Sequence, residues 1–222
     1  MLPVALGGRD APLTILFLGA HSDDIEIGCG ATIQRLLAEH PRARVCWVVF
    51  SADDQRETEA RASASEFLAG ASSQDIVVHR FQESYFPHQG AQIKDAFEDL
   101  KSSISPDLVF THRREDLHQD HRTVSELTWN TFRDHIVLEY EIPKYEGDLG
   151  HPNLFVPLDD DIVERKVDLL MKHFGTQRSK RWFRPATFRG LMALRGVEGG
   201  ASSGWAEAFH VRKLVLFGEP QS

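Results

Sequence analysis

The chain has 222 residues, of which 41% are hydrophobic and 26% are charged, and it contains 14 Phe and 4 Trp. This composition excludes a disordered or fibrous protein and predicts a soluble globular one. The 25 basic and 33 acidic residues give a net charge of -8, which argues against nucleic acid or an anionic membrane surface as a partner.

Apolar runs alternate with helical patterns through the first two thirds of the chain. Buried strands are predicted over residues 14–20, 45–51, 76–81 and 107–112, and helices over residues 30–40, 55–68, 91–104 and 118–132. Strands that alternate with helices of this length are typical of a mostly parallel sheet flanked by helices. The sequence therefore predicts an α/β fold of Rossmann-like architecture.

The alternation loosens after residue 136. Strands are predicted over residues 136–143, 154–158 and 209–217, and an acidic triplet at residues 159–161 is expected to cap a helix that runs to residue 174. We predict one domain over residues 1–222, with a core at residues 13–143 and a C-terminal elaboration at residues 144–222.

Two cysteines, Cys29 and Cys46, fall inside predicted buried elements, which argues against a disulfide framework. Residues 1–9 lack the basic start and apolar run of a signal peptide, and no stretch reaches 18 consecutive apolar residues. A cytoplasmic protein without a membrane span is expected. The sequence leaves a homo-oligomer open.

Metal-ligating residue types follow two predicted strands at the point where each strand ends. Ala20-His21-Ser22-Asp23-Asp24 comes after the first strand, and Asp116-Leu117-His118-Gln119-Asp120-His121 begins the fourth helix, where the spacing of its two histidines puts them on one face. Ligands of open parallel sheets bind at this edge. Each motif alone is also typical of helix capping, but together two His and one Asp fit a catalytic zinc site with an open position.

The sequence resembles the PIG-L/LmbE-like zinc-dependent N-deacetylases, which remove acetyl from N-acetylglucosamine-type groups. AHSDDIEIGCGAT (residues 20–32) is similar to the AHPDD motif and the Gly-rich helix start of this family, and DLHQDH (residues 116–121) is similar to its HxDH element. The resemblance extends to RETEARASASEFL (residues 56–68) and GWAEAF (residues 204–209). Ser22 stands where the family usually has Pro.

The resemblance implies a role for each residue of the two motifs. His21, Asp24 and His121 would hold Zn²⁺, and Asp23 would be the general base toward a metal-activated water. His118 would donate to the oxyanion that forms on the acetamide, and Asp120 would orient and charge the His118 ring. The products would be a free amine and acetate. Zinc, iron and cobalt are not distinguished by these ligand types.

Substrate contacts are expected from Arg56, Glu83 and Glu207, of which Arg56 is equally well explained as a plain surface residue of its helix. The family implies a small-molecule amino-sugar or glycoconjugate as the substrate, met by the C-terminal elaboration. Tyr85, Trp182 and Trp205 could stack on a sugar face or pack in the core.

Two alternatives belong to other functional classes. Gly28 and Gly30 open a helix, and Asp53 follows the second strand, as in a Rossmann-type dinucleotide-binding oxidoreductase, but the glycines come eight residues or more after the strand and a third glycine is missing. A non-catalytic sugar-binding module of the same fold would be expected to have lost some of His21, Asp23, Asp24 and His121, and all four are present.

Overall fold

A computed structural model describes residue 6 and residues 11–215. Seven strands form one sheet in the order β3-β2-β1-β4-β5-β7-β6, in which the five strands from β3 to β5 are parallel and β7 is antiparallel to both of its neighbours. The strands are β1 (Thr14–His21), β2 (Arg44–Ser51), β3 (Ser73–Val78), β4 (Leu108–His112), β5 (Ile136–Tyr140), β6 (Leu154–Pro157) and β7 (Ala206–Val211). The predicted α/β class and mostly parallel sheet are confirmed.

Within the described residues, six α-helices cover the two faces of this sheet. They are α1 (Asp24–Glu39), α2 (Asp54–Phe67), α3 (Gly90–Ser103), α4 (Gln119–Thr131), α5 (Asp160–His173) and α6 (Pro185–Gly199). Alternate residues of β1 point to opposite faces, so Ile15 and Phe17 pack in one apolar cluster with α1, α2, α5 and α6, and Leu16 and Leu18 pack in another with α3 and α4. None of the described helices is both long and apolar enough to cross a bilayer.

The predicted elements differ from the observed ones mainly near the C-terminus. Helix α6 was not predicted, because three glycines (Gly190, Gly196 and Gly199) weaken its helical pattern. Gly196 is needed there, since a Cβ atom would lie 2.0 Å from the carbonyl oxygen of Gly204. The last strand was predicted at residues 209–217, but β7 begins and ends earlier, and residues 216–217 lie outside the described part. Residues 1–5 and 7–9, on which the expectation about a signal peptide rests, also lie outside it.

Helix α1 is broken at Cys29, where φ is -146° and ψ is 17°. The break leaves backbone groups without helical partners, and two buried side chains supply them. Glu207 accepts hydrogen bonds from the N–H groups of Ala31 (3.1 Å) and Thr32 (2.6 Å), and Lys166 donates to the carbonyl oxygen of Ile27 (2.6 Å) and to Glu207 (2.5 Å). We call these five residues the kink cluster. It fixes the first turns of α1, which carry Asp23 and Asp24.

Candidate metal centre

The chain runs outward from β1 to one side of the sheet and from β4 to the other, so the ends of these two adjacent strands frame a crevice. His21 is the last residue of β1, and His112 is the last residue of β4. Asp24 begins α1 one short turn after His21, and its Oδ2 accepts the His21 N–H at 2.7 Å. This local bond brings the two side chains together from a spacing of three residues.

Three ligand-type atoms converge at this crevice, as the sequence motifs predict. His21 Nδ1 lies 3.2 Å from Asp24 Oδ2 and 3.2 Å from His121 Nε2, and the latter two atoms are 3.5 Å apart. In a tetrahedral zinc site with bonds of 2.0–2.1 Å, two ligand atoms would lie about 3.3–3.4 Å apart. The three side chains are buried. We call His21, Asp24 and His121 the metal cluster, because their donor atoms fit such an ion.

Carboxylates hold the outer nitrogen of both rings. Asp116 Oδ2 lies 3.0 Å from His121 Nδ1, and Asp120 Oδ2 lies 3.2 Å from His21 Nε2. A carboxylate only accepts, so each outer nitrogen carries the proton and the inner nitrogen faces the cluster. Metal-binding histidines are oriented in this way in many proteins. Asp116 had no predicted role, although it is the first residue of the motif that ends at His121.

The predicted partner of Asp120 is corrected by these contacts. Its carboxylate accepts the N–H groups of Ser84 and Phe86 and contacts His21, not His118. His118 instead uses Nδ1 to accept the backbone N–H of Asp120 at 3.3 Å. The proton of a neutral His118 ring therefore lies on Nε2, which leaves that nitrogen as a donor. Burial and the nearby His21 lower the pKa of His118, which favours this neutral form.

The charges of the cluster favour a cation among its atoms. Burial alone would lower the pKa of His21, but the carboxylates of Asp24 and Asp120 outweigh burial and raise it to about 10. Burial and the neighbouring His112 lower the pKa of His121 to about 3, so this ring is neutral. A neutral ring is the form that binds a metal ion, so His121 is ready to bind, whereas the raised pKa means that His21 must release a proton when an ion binds.

Two further histidines lie close enough to form other ligand sets. His118 groups with His21 and His121, and His112 groups with Asp24 and His121. However, His112 Nε2 already accepts the Ala20 N–H at 2.9 Å, and its ring stacks on that of His121 with the centroids 3.9 Å apart. His112 therefore packs against His121 and Asp24 instead of serving as a ligand itself.

Arg56 ties Asp23 to the wall of the crevice. Its guanidinium donates to Asp23 Oδ1 (2.8 Å), to Ser22 Oγ (2.8 Å) and to Glu83 Oε2 (3.2 Å), and only 11% of the side chain is exposed. The plain surface interpretation of Arg56 is thus wrong. Burial raises the pKa of Asp23 although Arg56 opposes the shift. Ser22 contributes a hydrogen bond that the proline usual in the family could not make.

A cleft of about 200 Å³ opens in front of the metal cluster. The predicted residues that line it are His21, Asp23, Asp24, Arg56, Glu83, His118, His121 and Trp182, and the others are Ile142, Lys144, Tyr145, Glu146 and Lys180. Of the three aromatic candidates, only Trp182 is in this lining. Trp205 donates its indole N–H to Asp160, and Tyr85 contacts His88.

Glu207 lies away from the cleft, which corrects its predicted contact with substrate. It is 4% exposed, and its carboxylate is taken up by Lys166 and the backbone of α1. The sequence placed Glu207 at the site because GWAEAF matches a family element. In the structure, Glu207 of this element instead accepts hydrogen bonds from backbone N–H groups at the break in α1.

Comparison with known proteins gives one family and a set of related folds. A family model described as GlcNAc-PI de-N-acetylase, PIG-L, matches residues 16–132. The uncharacterized deacetylase YaiS of Escherichia coli strain K12 is 30% identical over 170 residues, which are 72% of this chain and 89% of that protein.

Two solved structures show how widely this fold is used. The N,N'-diacetylchitobiose deacetylase from Pyrococcus horikoshii has a TM-score of 0.68 at 20% identity and covers 90% of this chain and 83% of its own. GalB, the 4-carboxy-2-hydroxymuconate hydratase from Pseudomonas putida KT2440, has a TM-score of 0.67 at 15% identity and covers 94% and 100%. At these identities the likeness concerns the fold alone.

Proposed function

We propose, since the chain belongs to the PIG-L family of deacetylases and is therefore an amide hydrolase, that it is a zinc-dependent enzyme that removes acetyl from an N-acetylglucosamine-type amide. The observation that carries this proposal is the triangle of His21 Nδ1, Asp24 Oδ2 and His121 Nε2, with edges of 3.2–3.5 Å, beside the carboxylate of Asp23. When bound there, zinc would supply Lewis-acid polarisation of the amide carbonyl and of water.

The residues around the cluster divide the remaining chemistry. Asp23 accepts a proton from the attacking water, because it adjoins the cluster and its raised pKa makes it a better base than an exposed carboxylate. The same proton can then pass to the leaving amine nitrogen. His118 Nε2 donates to the oxyanion that develops on the carbonyl oxygen. Arg56 fixes the orientation of Asp23 through the 2.8 Å hydrogen bond to Oδ1.

The dinucleotide alternative gains no support from the two glycines that suggested it. A Cβ atom at Gly28 would lie 2.2 Å from the Tyr140 ring, and one at Gly30 would lie 2.8 Å from the Phe67 ring. Both glycines are therefore needed for packing inside the protein. Backbone held against these rings is not available to a pyrophosphate.

Metal analysis combined with acetate release tests the proposal. We expect about one zinc per chain after purification and acetate release from at least one member of a panel of N-acetylglucosamine derivatives, lost on chelation and restored by zinc. Iron or cobalt in place of zinc would change the metal and keep the reaction. Absence of any divalent ion, with no acetate release after zinc, iron or cobalt is added, would contradict the proposal.

A further inference from the structure

The cleft in front of the metal cluster contains one cation without a counter-ion. Three basic side chains line it: Arg56, Lys144 and Lys180. Arg56 is paired with Asp23 and Glu83, and Lys144 is paired with Asp116 at 2.9 Å and with Asp148 at 2.6 Å. Within residues 11–215, no carboxylate lies within ion-pair distance of Lys180. Its charge is thus free to meet a ligand.

The surroundings of Lys180 direct this charge toward the cleft. The residue is half-buried, and Nζ lies 5.7 Å from the centroid of the Trp182 ring, which lines the same cleft. The charge of Lys180 also acts on Asp23, whose pKa it lowers against the larger effect of burial. The ammonium therefore contacts an aromatic ring but forms no ion pair with a carboxylate, so an anion in the cleft would add a charge-assisted contact.

The segment around Lys180 is basic in a protein that is acidic overall. Residues 178–184 read RSKRWFR, with four basic residues and no acidic one, against a net charge of -8 for the chain. Arg178 donates to main-chain carbonyls of α5, and the Arg181 N–H donates to the Tyr145 hydroxyl at 3.3 Å. The outer wall of the cleft therefore consists of two loops, one with Arg181 and one with Tyr145, that this hydrogen bond connects.

The acidic residues of the cleft do not neutralise this wall. Of the four acidic residues that line the cleft, Asp23 and Glu83 accept from Arg56, and Asp24 belongs to the metal cluster. The fourth, Glu146, is exposed and lies outside ion-pair distance of Lys180. An uncharged sugar needs only hydroxyl and stacking partners, and the face of Trp182 offers the latter. An anion on the substrate would be the natural partner of Lys180.

We propose that Lys180 and Trp182 form a subsite for an anionic group, phosphate or carboxylate, attached to the acetylated sugar. This inference rests on the proposed function, because it names the class of substrate that the same cleft accepts. The ammonium of Lys180 binds the anion, and the ring of Trp182 packs against the adjoining sugar. The preferred substrate is an acidic derivative of an N-acetylamino sugar.

The test compares three sugars on the zinc-loaded full-length protein: N-acetylglucosamine, its 1-phosphate and its carboxymethyl glycoside. Dissociation constants by calorimetry and kcat/KM by acetate release are measured for the wild type and for Lys180→Met, Lys180→Arg and Lys101→Met. Lys101 is an exposed lysine on the other face of the sheet, so Lys101→Met controls for net charge.

We expect Lys180→Met to weaken binding and kcat/KM for the anionic sugars by roughly 10- to 100-fold, the size of one charge-assisted hydrogen bond. The dissociation constant of the neutral sugar should change less than about twofold, and any change of kcat/KM that comes through the pKa of Asp23 should be the same for all three sugars. Lys180→Arg should retain most of the preference for anionic sugars, and Lys101→Met should behave as wild type. The anionic sugar with the larger loss identifies the preferred anion.

Several outcomes overturn the subsite. They are an equal loss on neutral and anionic sugars, which would mean that Lys180 acts through Asp23; no loss on any sugar; and no tighter binding of anionic sugars by the wild type. Glu146→Gln reproducing the Lys180→Met effects on all three sugars would also overturn it. Acetate release without a Lys180 effect refutes the subsite alone. Lys180-dependent binding without acetate release refutes the proposed reaction alone.

Discussion

Two buried groups of charges contact the same helix and differ in how their polar atoms are matched. In the kink cluster, each oxygen of Glu207 has a donor, and Lys166 has two acceptors. In the metal cluster, two ring nitrogens and an oxygen face one another within 3.5 Å, while the outer ring nitrogens are held by Asp116 and Asp120. Matched donors and acceptors stabilise a fold, whereas facing lone-pair sites need a cation.

The largest effect on activity is expected from removing the proposed base in the metal-binding region, because this change alters the chemistry and leaves the structure unchanged. Asp23→Asn keeps an oxygen that accepts from Arg56 but cannot take a proton, so kcat should fall by roughly 10²–10⁴-fold. Metal content and the free energy of unfolding should stay near their wild-type values. Acetate release, elemental analysis and denaturant titration check the three quantities.

Asp24→Asn is the matched control one residue away. It replaces an anionic ligand by a neutral one, so it should lose metal, and activity should return in part at high zinc concentration. Loss of zinc in Asp23→Asn together with full zinc and activity in Asp24→Asn would exchange the roles of the two carboxylates.

The kink cluster should show the reverse pattern. Glu207→Ala leaves the buried Lys166 ammonium without its carboxylate partner and leaves two N–H groups of α1 without an acceptor. The free energy of unfolding should therefore fall by about 3–5 kcal/mol. Folded protein should still bind one metal ion per chain. Denaturant titration and metal analysis under conditions that keep the variant folded measure both.

Glu207→Gln supplies the control, because it fills the same space and keeps one accepting oxygen for α1, although its NH₂ group cannot accept from the second donor. Its loss of stability should be smaller than that of Glu207→Ala. If both variants have wild-type stability and a raised KM, the sequence-based prediction that Glu207 contacts substrate would be right and the structural role wrong.

The difference between the two groups also explains what the sequence could predict. His21, Asp24 and His121 lie within short motifs whose spacing follows from a strand end and a helix turn, so their convergence was predictable. Asp120 lies in the same motif, but its contact with His21 depends on how β1 and α4 meet across 99 residues. Lys166 and Glu207 meet across 41 residues at a break in α1 that no periodicity signals. Helices and strands were predictable where apolar residues recur with a clear helical or strand spacing. Helix α6 was missed because its glycines interrupt that spacing.

The carboxylates behind the histidines should show an intermediate effect. Asp116→Asn and Asp120→Asn weaken the orientation and basicity of His121 and His21, so metal affinity should fall roughly 10- to 100-fold in each. Competition with a chelator measures it. Asp107→Asn is the control, because Asp107 accepts the Thr14 N–H at the opposite ends of the same strands.

Unchanged affinity in Asp120→Asn, together with loss of metal in His112→Gln, would move the metal to the neighbouring set formed by Asp24, His112 and His121, in which His21 has no part. That result would also weaken the comparison, since His112 has its lone pair committed to the Ala20 N–H.

The smallest effect is expected at Ser22, whose hydroxyl oxygen accepts a hydrogen bond from the Arg56 guanidinium. Ser22→Ala removes one hydrogen bond to the guanidinium of Arg56 and leaves those to Asp23 and Glu83, so kcat/KM should fall by only about 2- to 12-fold, equivalent to 0.5–1.5 kcal/mol. Arg56→Ala alone should have a larger effect, because all three contacts are lost. The double variant decides whether Ser22 acts through Arg56: kcat/KM of Ser22→Ala/Arg56→Ala should equal that of Arg56→Ala, as expected for two residues that share one interaction. Additive losses would mean that Ser22 acts independently of Arg56, and an unchanged kcat/KM in Ser22→Ala would mean that Asp23 and Glu83 hold Arg56 without it.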